Sequence, residues 1–377
     1  MQSDIVYDVA VIGGGASGLT VAIIAKQRGL KAVIIERSDR IGRKILVSGN
    51  GRCNLMGDGD IISKYNTLDI KEIFSVVTID NIKSFFYDLG VYLKLDNGRY
   101  YPYSDQSSTV LTAFKNKVDA LNIDLKLSTN VLQIKDSQPF CLHTSNGCVF
   151  ATNVVLATGS SAHMGQDSLD LYKSYNHHVR PFKPALAPLI TDTAHIRGLK
   201  GVKIRAGATI VLDNIPLATR VGDILFKDNG VSGSLALELS SILVRHAHSN
   251  AEIYIDFMPG IDGDELDLAL KIALNGLFHK EIVANILKRA KNPSEIKKLI
   301  KKYPIKITGI ASSDLAQVMS GGLLLNEFNL STLESKLQSK LYAVGEVLDV
   351  DGECGGYNLM WAWASGIVVG NALSRQM

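Results

Sequence analysis

Six consecutive residues, Gly13-Gly14-Gly15-Ala16-Ser17-Gly18, carry glycines at the spacing that phosphate chemistry requires. They follow a short apolar run at 7–12 and open a helical pattern at 19–28. Gly13 permits a tight turn, Gly15 lets backbone N–H groups approach a pyrophosphate, and Gly18 allows close contact between helix and strand. Behind this turn, with Ala16 and Ser17 in it, the helix start presents its partial positive charge to the phosphates. Glu36 comes 18 residues after Gly18, at the end of a second apolar run at 31–36, where a carboxylate can accept hydrogen bonds from ribose hydroxyls. The same carboxylate repels a 2′-phosphate, so NADP is disfavoured at this turn, and FAD and NAD remain.

Residues further along separate those two. Ala157-Thr158-Gly159 ends an apolar strand pattern, as expected where a returning connection closes over a nucleotide. Near the C-terminus another strand pattern ends in Gly345-Glu346, followed by Gly355-Gly356-Tyr357-Asn358 and a helix. A second helix start beside the first suits the long FAD, whereas an NAD domain has no need of so distant a segment. Arg37, Arg43, Lys44 and Arg52 place four cations behind the first turn, matched to two phosphate charges. Ser48-Gly49-Asn50-Gly51 is too glycine-rich for a core element, and Asn50 is placed to bond a flavin edge.

The elements that must position these residues read as an α/β fold. Strand, glycine turn, helix and strand over 7–36 form one βαβ unit and imply a parallel sheet. A polar stretch at 38–60 is too long for a simple connection. Helical patterns follow at 80–89 and 107–121, and strand patterns at 125–134, 140–144, 148–151 and 153–157, with an Asn146-Gly147 turn between the second and third. Three prolines in 181–188 mark a change of composition. Beyond them lie β-like pieces at 208–212 and 252–257 and amphipathic helices over 264–302, before strand, turn and helix return at 340–373. The expected organisation is a two-part, glutathione-reductase-like Rossmann domain, 1–187 with 308–377, that binds FAD. It is interrupted by an inserted domain at 188–307, β-rich over 188–260 and helical over 261–303.

Bulk composition narrows the classes. The chain has 377 residues, 46% hydrophobic and 20% charged, enough for a large core and two or three domains. Forty Lys and Arg stand against 37 Asp and Glu, a net charge of +3 that argues against a nucleic-acid partner. The basic run Lys288, Arg289, Lys291, Lys297, Lys298, Lys301 and Lys302 lacks interleaved aromatics and reads as a solvated face. The apolar stretches at 5–25 and 359–373 read as buried pieces, not membrane segments. Four cysteines lie far apart with no CxxC, so a disulfide framework and a metal are both set aside, and the reading is cytoplasmic. His177 and His178 read as surface or packing residues.

The stretches Ile41-Gly42-Arg43-Lys44, Ser48-Gly49-Asn50-Gly51-Arg52-Cys53-Asn54, Gly345-Glu346-Val347-Leu348-Asp349-Val350-Asp351-Gly352 and Gly355-Gly356-Tyr357-Asn358 resemble the signature of a bacterial flavoprotein family. Its members are described as NAD(P)/FAD-dependent or aminoacetone-oxidase-like enzymes. Gly98-Arg99-Tyr100-Tyr101-Pro102-Tyr103-Ser104 and Gly230-Val231-Ser232-Gly233 are similar to further family segments. The resemblance covers nearly the whole chain and implies an FAD domain with an inserted β-rich, partly helical one. Cys53, Asn54, Val131, Asp349 and Leu359 complete the candidate cofactor contacts. Tyr101, Tyr103, Tyr357 and Glu353 are the candidate substrate-side donors, and Cys53 with Cys354 is the candidate redox pair.

The insertion holds no second GxGxxG, so a built-in nicotinamide domain is not expected. The functional expectation is an enzyme that moves a hydride between FAD and a small organic substrate, with oxygen or transiently bound NAD(P)H as electron partner. The alternative is an FAD-binding redox sensor without turnover.

Overall fold

The computed structural model describes residues 5–160, 162, 171, 175–246, 250–272 and 274–375. The chain divides into two compact units, Met1–Phe182 with Gly321–Met377, and Lys183–Ser320.

The first unit is built on a parallel sheet. Strand β1 (Val6–Ile12) lies between β2 (Ala32–Ile35) and β9 (Gly147–Leu156), both parallel to it. Strand β6 (Asp124–Lys126) extends the sheet beyond β2, and β18 (Leu341–Ala343) joins it on β9. Buried on both faces, β2 reads as the continuous apolar run Ala32-Val33-Ile34-Ile35. The other end of β9 belongs to an antiparallel meander with β8 (Phe140–Thr144) and β7 (Val131–Lys135). The two strand patterns at 148–151 and 153–157 are thus one strand. Asn153, which breaks the apolar pattern, is accommodated by donating to the Asp8 carbonyl at 2.9 Å.

Helix α1 (Ala16–Gln27) is buried from Ser17 to Ala25, because the sheet covers one side and α11 (Tyr357–Arg375) the other. Two glycines let those helices approach. A Cβ on Gly366 would lie 2.9 Å from the Ser17 carbonyl oxygen, and one on Gly370 would lie 2.7 Å from the Ile24 Cβ. Around this frame sit α2 (Arg43–Val47), α3 (Ile70–Val76), α4 (Ile79–Asp88) and α5 (Ser107–Ala120). A small antiparallel sheet orders β3 (Met56–Gly57), β5 (Arg99–Pro102) and β4 (Leu93–Asp96). Trp363 of α11 meets Phe86 edge-on at 5.2 Å and Phe114 stacked at 5.6 Å, which fastens α4 and α5 to α11.

The second unit is a closed six-stranded barrel. Its order is β11 (Leu189–Thr191), β14 (Gly230–Ser232), β13 (Ile215–Lys227), β12 (Lys203–Leu212), β15 (Ala251–Asp256) and β16 (Tyr303–Ile310), with β16 closing on β11. Gly230 and Gly233 are required here by backbone proximity: their Cβ atoms would fall 2.0 Å from the Leu189 oxygen and 2.4 Å from the Asp223 oxygen. Helix α6 (Ser234–Leu243) packs on the barrel, followed by α7 (Gly263–Ile272), α8 (Leu274–Leu277), α9 (Lys280–Arg289) and α10 (Pro293–Lys301). The last two carry their own start signals. His279 accepts from the Glu281 N–H, and Asn292 accepts from the Glu295 N–H with Pro293 in the first turn.

The division at 182/183 and 320/321 differs from the expected boundaries at 187/188 and 307/308. The helical pattern ends near 302, but the next segment, β16, closes the barrel and belongs to the insertion. Strands β10 (Val179–Ala185) and β17 (Val318–Leu323) pair into a ribbon where the chain leaves and returns. The basic run is divided in the structure. Lys297 pairs with Asp267, and Lys301 pairs with Asp256 and Asp262, while Lys288, Lys291, Lys298 and Lys302 are exposed. Among the described residues no helix is long and apolar enough to cross a membrane.

Candidate functional site

The C-terminal ends of β1, β9 and β18 converge on the glycine turn. Gly13 donates to the Ile35 carbonyl at 2.8 Å, and its φ of +112° is one that side chains rarely adopt. A Cβ there would sit 2.3 Å from the Ala157 carbonyl oxygen, so the turn and the 157–159 segment fit only with glycine at 13. Gly18 plays the companion role, with Ala157 and Val11 each 3.1 Å from its Cβ position.

Glu36 is fastened by both oxygens. Oε2 accepts from the Gly14 N–H at 2.7 Å and Oε1 from the Ser38 N–H at 2.8 Å. Each oxygen retains a lone pair for a hydroxyl partner. Thr129 donates its N–H to the Glu36 carbonyl, which brings the segment leading into β7, and so Val131, alongside. Val131 itself is buried.

Lys44 links three distant segments. Its Nζ lies 3.1 Å from Glu346 Oε2, 3.3 Å from the Ser160 carbonyl and 3.8 Å from the Cβ position of Gly159. Gly345, just before Glu346, presses on Ser17 at the start of α1: a Cβ there would lie 2.6 Å from Ser17 Oγ. Two buried bonds hold Gly345, its N–H to Ser365 Oγ and its carbonyl to the Trp361 indole N–H. Glu346, Lys44 and the start of α1 therefore form one group, although sequence separates them widely.

The second group surrounds the start of α11. Gly356 has φ +97°, and a Cβ there would lie 2.5 Å from Asn54 Oδ1. That oxygen is buried with no hydrogen-bond partner among the described residues. Ser48–Gly51 forms a short turn with Gly49 and Asn50 both left-handed; Asn50 is exposed, and a Cβ on Gly49 would lie 2.6 Å from the Asn54 nitrogen. Cys53 is fully buried, and that burial pushes its thiol from 9.0 up to about 11, against a weaker opposing bond from Ser48. An inert thiol follows, and Cys354 is only partly buried.

Several candidates turn out to be occupied elsewhere. Arg52 was expected behind the pyrophosphate. Its guanidinium instead binds Asp105 at 2.7 Å and Asp96 at 3.0 Å and lies 4.0 Å over the Tyr101 ring. Those carboxylates flank the β4–β5 hairpin. Tyr101 is buried under that cation, and Tyr103 is exposed. Glu353 pairs with Lys64 at 2.9 Å. Tyr357 packs against Gly57 and Gly355, directs its hydroxyl at the Asp58 carbonyl, and has a raised pKa chiefly from burial. Asn358 clamps Gly352 through both side-chain atoms, at 2.8 and 2.9 Å. Asp349 receives Arg180 at 2.5 Å and the Gly321 N–H at 3.2 Å. Leu359 joins the core, Arg43 is exposed, and Arg37 is half-buried. His177 is buried between Glu327 and Ser335, and His178 is exposed on the same Glu327.

The residues present fit a flavin dinucleotide. The space about the Gly15 Cβ position is open to 4 Å, and the first turn of α1 carries no acidic side chain to repel phosphate. Glu36 and the orphaned Asn54 oxygen offer acceptors for hydroxyl or ring N–H groups. Ser160, Ser38, Trp361 and the Gly366–Gly370 pair also shape this region and were not singled out from the sequence. Only the glycine pair has a sequence signal, its four-residue spacing on one helix face.

Residues 7–372 match the family described as HI0933-like protein Rossmann domain. The chain is 29% identical to the 3-dehydro-bile acid delta(4,6)-reductase of Clostridium scindens, over 98% of this chain and 99% of that protein. It is 25% identical to the ribosomal RNA dihydrouridine synthase of Escherichia coli, over 95% and 96% of the two chains. Its fold is shared with 3-ketosteroid delta1-dehydrogenase from Sterolibacterium denitrificans, with a TM-score of 0.52 at 12% identity over 99% and 100% of the chains. The glycine turn, its carboxylate and the two-part sheet are those of an FAD-binding oxidoreductase, and the chain belongs to the HI0933-like Rossmann domain family.

Proposed function

We propose that the chain is a reductase that adds hydrogen across an electron-poor carbon–carbon double bond of an unsaturated carbonyl compound, using FAD recharged by NAD(P)H. The observation that carries the FAD part is the meeting of two glycine-backed helix starts with the Gly345-Glu346 turn. Gly345 touches Ser17 of α1, while Gly356 at the start of α11 touches Asn54. The direction of hydride transfer is supported by two relatives that align over nearly their whole length. One is named a delta(4,6)-reductase and the other a dihydrouridine synthase, and both names denote gain of hydrogen by an unsaturated ring.

In this reading the N–H groups of Gly15, Ala16 and Ser17 bind the pyrophosphate, and Glu36 binds the ribose hydroxyls. Lys44, held by Glu346, supplies a positive charge beside the 159–160 segment. Asn54 Oδ1 accepts from a ring N–H, and the positive end of α11 favours the anionic, reduced form of the ring. The flavin, when bound, supplies the hydride. The protein orients the partners and excludes water.

The test is anaerobic rapid mixing. NADPH or NADH bleaches the flavin band, and a conjugated enone then restores it, with the saturated ketone as product by mass spectrometry. Reoxidation by oxygen alone, across a panel of enones, overturns the proposal. Exposed Lys288, Lys291 and Lys298 on the inserted unit keep a structured RNA in view as substrate. A dihydrouridine deficit in the ribosomal RNA of a deletion strain, restored by the gene, selects that substrate over a small molecule.

A further inference from the structure

We propose that Cys141, His143 and Cys148 form a binding site for a soft d10 cation, zinc(II) or copper(I), on the outer face of the β8–β9 hairpin. The spacing Cys-x-His-x4-Cys is not the CxxC form on which the sequence reading set a metal aside; strand register supplies the proximity instead. Cys141 and His143 are two apart on β8 and so share a face, and His143 pairs directly with Cys148 on β9. Phe140, Leu142, Val149 and Ala151 alternate with them and are buried, which turns the three ligand side chains to the opposite face.

The His143 ring stands between the thiols, with Nε2 3.6 Å from Cys141 Sγ and Nδ1 3.7 Å from Cys148 Sγ. One donor atom from each residue lies within 4.8 Å of the other two. Tetrahedral zinc, with bonds of about 2.3 Å to sulfur and about 2.0–2.1 Å to nitrogen, holds its ligand atoms about 3.5–3.8 Å apart. The two contacts use different ring nitrogens, so coordination through one of them requires the His143 ring to turn and the ligand atoms, now within 4.8 Å, to close to that separation. Two thiolates and an imidazole select soft or borderline metals over magnesium or calcium. Lys135, opposite Cys141 on β7, is the neighbouring cation; two thiolates neutralise zinc(II) by themselves, and with copper(I) the Lys135 charge offsets the single negative charge that remains. Cys148 is exposed, leaving a fourth position for water or an external thiol.

The experiment uses the full-length, flavin-loaded protein, stripped with a chelator and kept anaerobic. Zinc sulfate is titrated against a chromophoric chelator, and copper(I) separately against a bathocuproine ligand. One equivalent of either metal bound with submicromolar Kd, and an X-ray absorption spectrum of two sulfurs and one nitrogen, is the expected result. Cys148→Ser and His143→Ala each weaken that binding by at least about a hundredfold. Their flavin absorbance and melting temperature stay as in the parent, which shows that the variants fold. Absence of binding for both metals overturns the proposal. So does equal binding by the Cys141→Ser/His143→Ala/Cys148→Ser variant, or a Cys141–Cys148 disulfide in anaerobically isolated protein.

Discussion

Lys44 and Glu346 lie 302 residues apart in sequence and 3.1 Å apart in space, beside the turn that ends β9. Both side chains are partly buried, at 34% and 21% exposed. The pair binds the C-terminal part of the Rossmann unit to its N-terminal part at the point where the cofactor site is assembled. Lys44→Met removes a cation that the proposed function places on the phosphate side and breaks its pair with Glu346. Flavin affinity falls about tenfold, corresponding to about 1.4 kcal/mol. Fluorescence titration of the apoprotein with FAD measures it, and unchanged affinity removes Lys44 from the site.

Glu36 holds the Gly14 and Ser38 N–H groups, and in the proposed function it also accepts from a ribose. Glu36→Ala therefore reduces both stability and binding. The loss of stability without FAD is about 1–3 kcal/mol, the cost of stranding backbone donors. Urea denaturation of the apoprotein reads that part alone, and FAD titration reads the rest. Glu36→Gln keeps an acceptor and is expected between the two.

Gly366 leaves no room for a side chain, with Thr20 Cβ at 2.8 Å and the Ser17 oxygen at 2.9 Å from its Cβ position. Gly366→Ala pushes α11 away from α1 and destabilises the chain by about 1–3 kcal/mol. Calorimetry gives the shift in melting temperature. Because Ser17 lies in the first turn of α1, flavin release accompanies it, whereas an alanine at Gly309, which has open space and no left-handed φ, leaves the flavin in place.

Cys53 sets a pH dependence. Its thiol is pushed from 9.0 up to about 11 in the folded chain, so the unfolded chain loses its proton first as pH rises. The stability this group contributes is complete below pH 9 and is lost progressively between pH 9 and 11, on the order of 2–3 kcal/mol in all. Cys53→Ala removes that slope, and urea melts at pH 8 and pH 10.5 test it. Iodoacetamide at pH 8 labels exposed Cys148 and spares Cys53, as peptide mass spectrometry reads out.

The parts of this fold legible in the sequence are those written in contiguous residues. The βαβ unit shows as a strand, a glycine turn and a helix in unbroken order. The two-part Rossmann architecture shows because its last strand, turn and helix repeat the style of the first. What was not legible depends on pairing at long range. Arg52 looked like a phosphate cation because Asp96 and Asp105 become its neighbours only when the β4–β5 hairpin forms. Barrel closure depends on β16 meeting β11 across more than a hundred residues, and that contact moves the domain boundary. Asn358 and Asp349 stand in cofactor motifs, yet their side chains are committed to Gly352, and to Arg180 with the Gly321 N–H.

The packing of α11 on α1 also sets an order of events during synthesis. Helix α1 leaves the ribosome more than three hundred residues before Gly366 and Gly370, the glycines it packs against. The barrel of 183–320 emerges between them and has its own core to close on. The nascent chain therefore carries a finished insertion and an unfinished nucleotide domain, whose apolar helix waits for its partner. Flavin capture therefore waits for Gly366 and Gly370 to emerge, and a ribosome stalled before them holds a chain that cannot retain it.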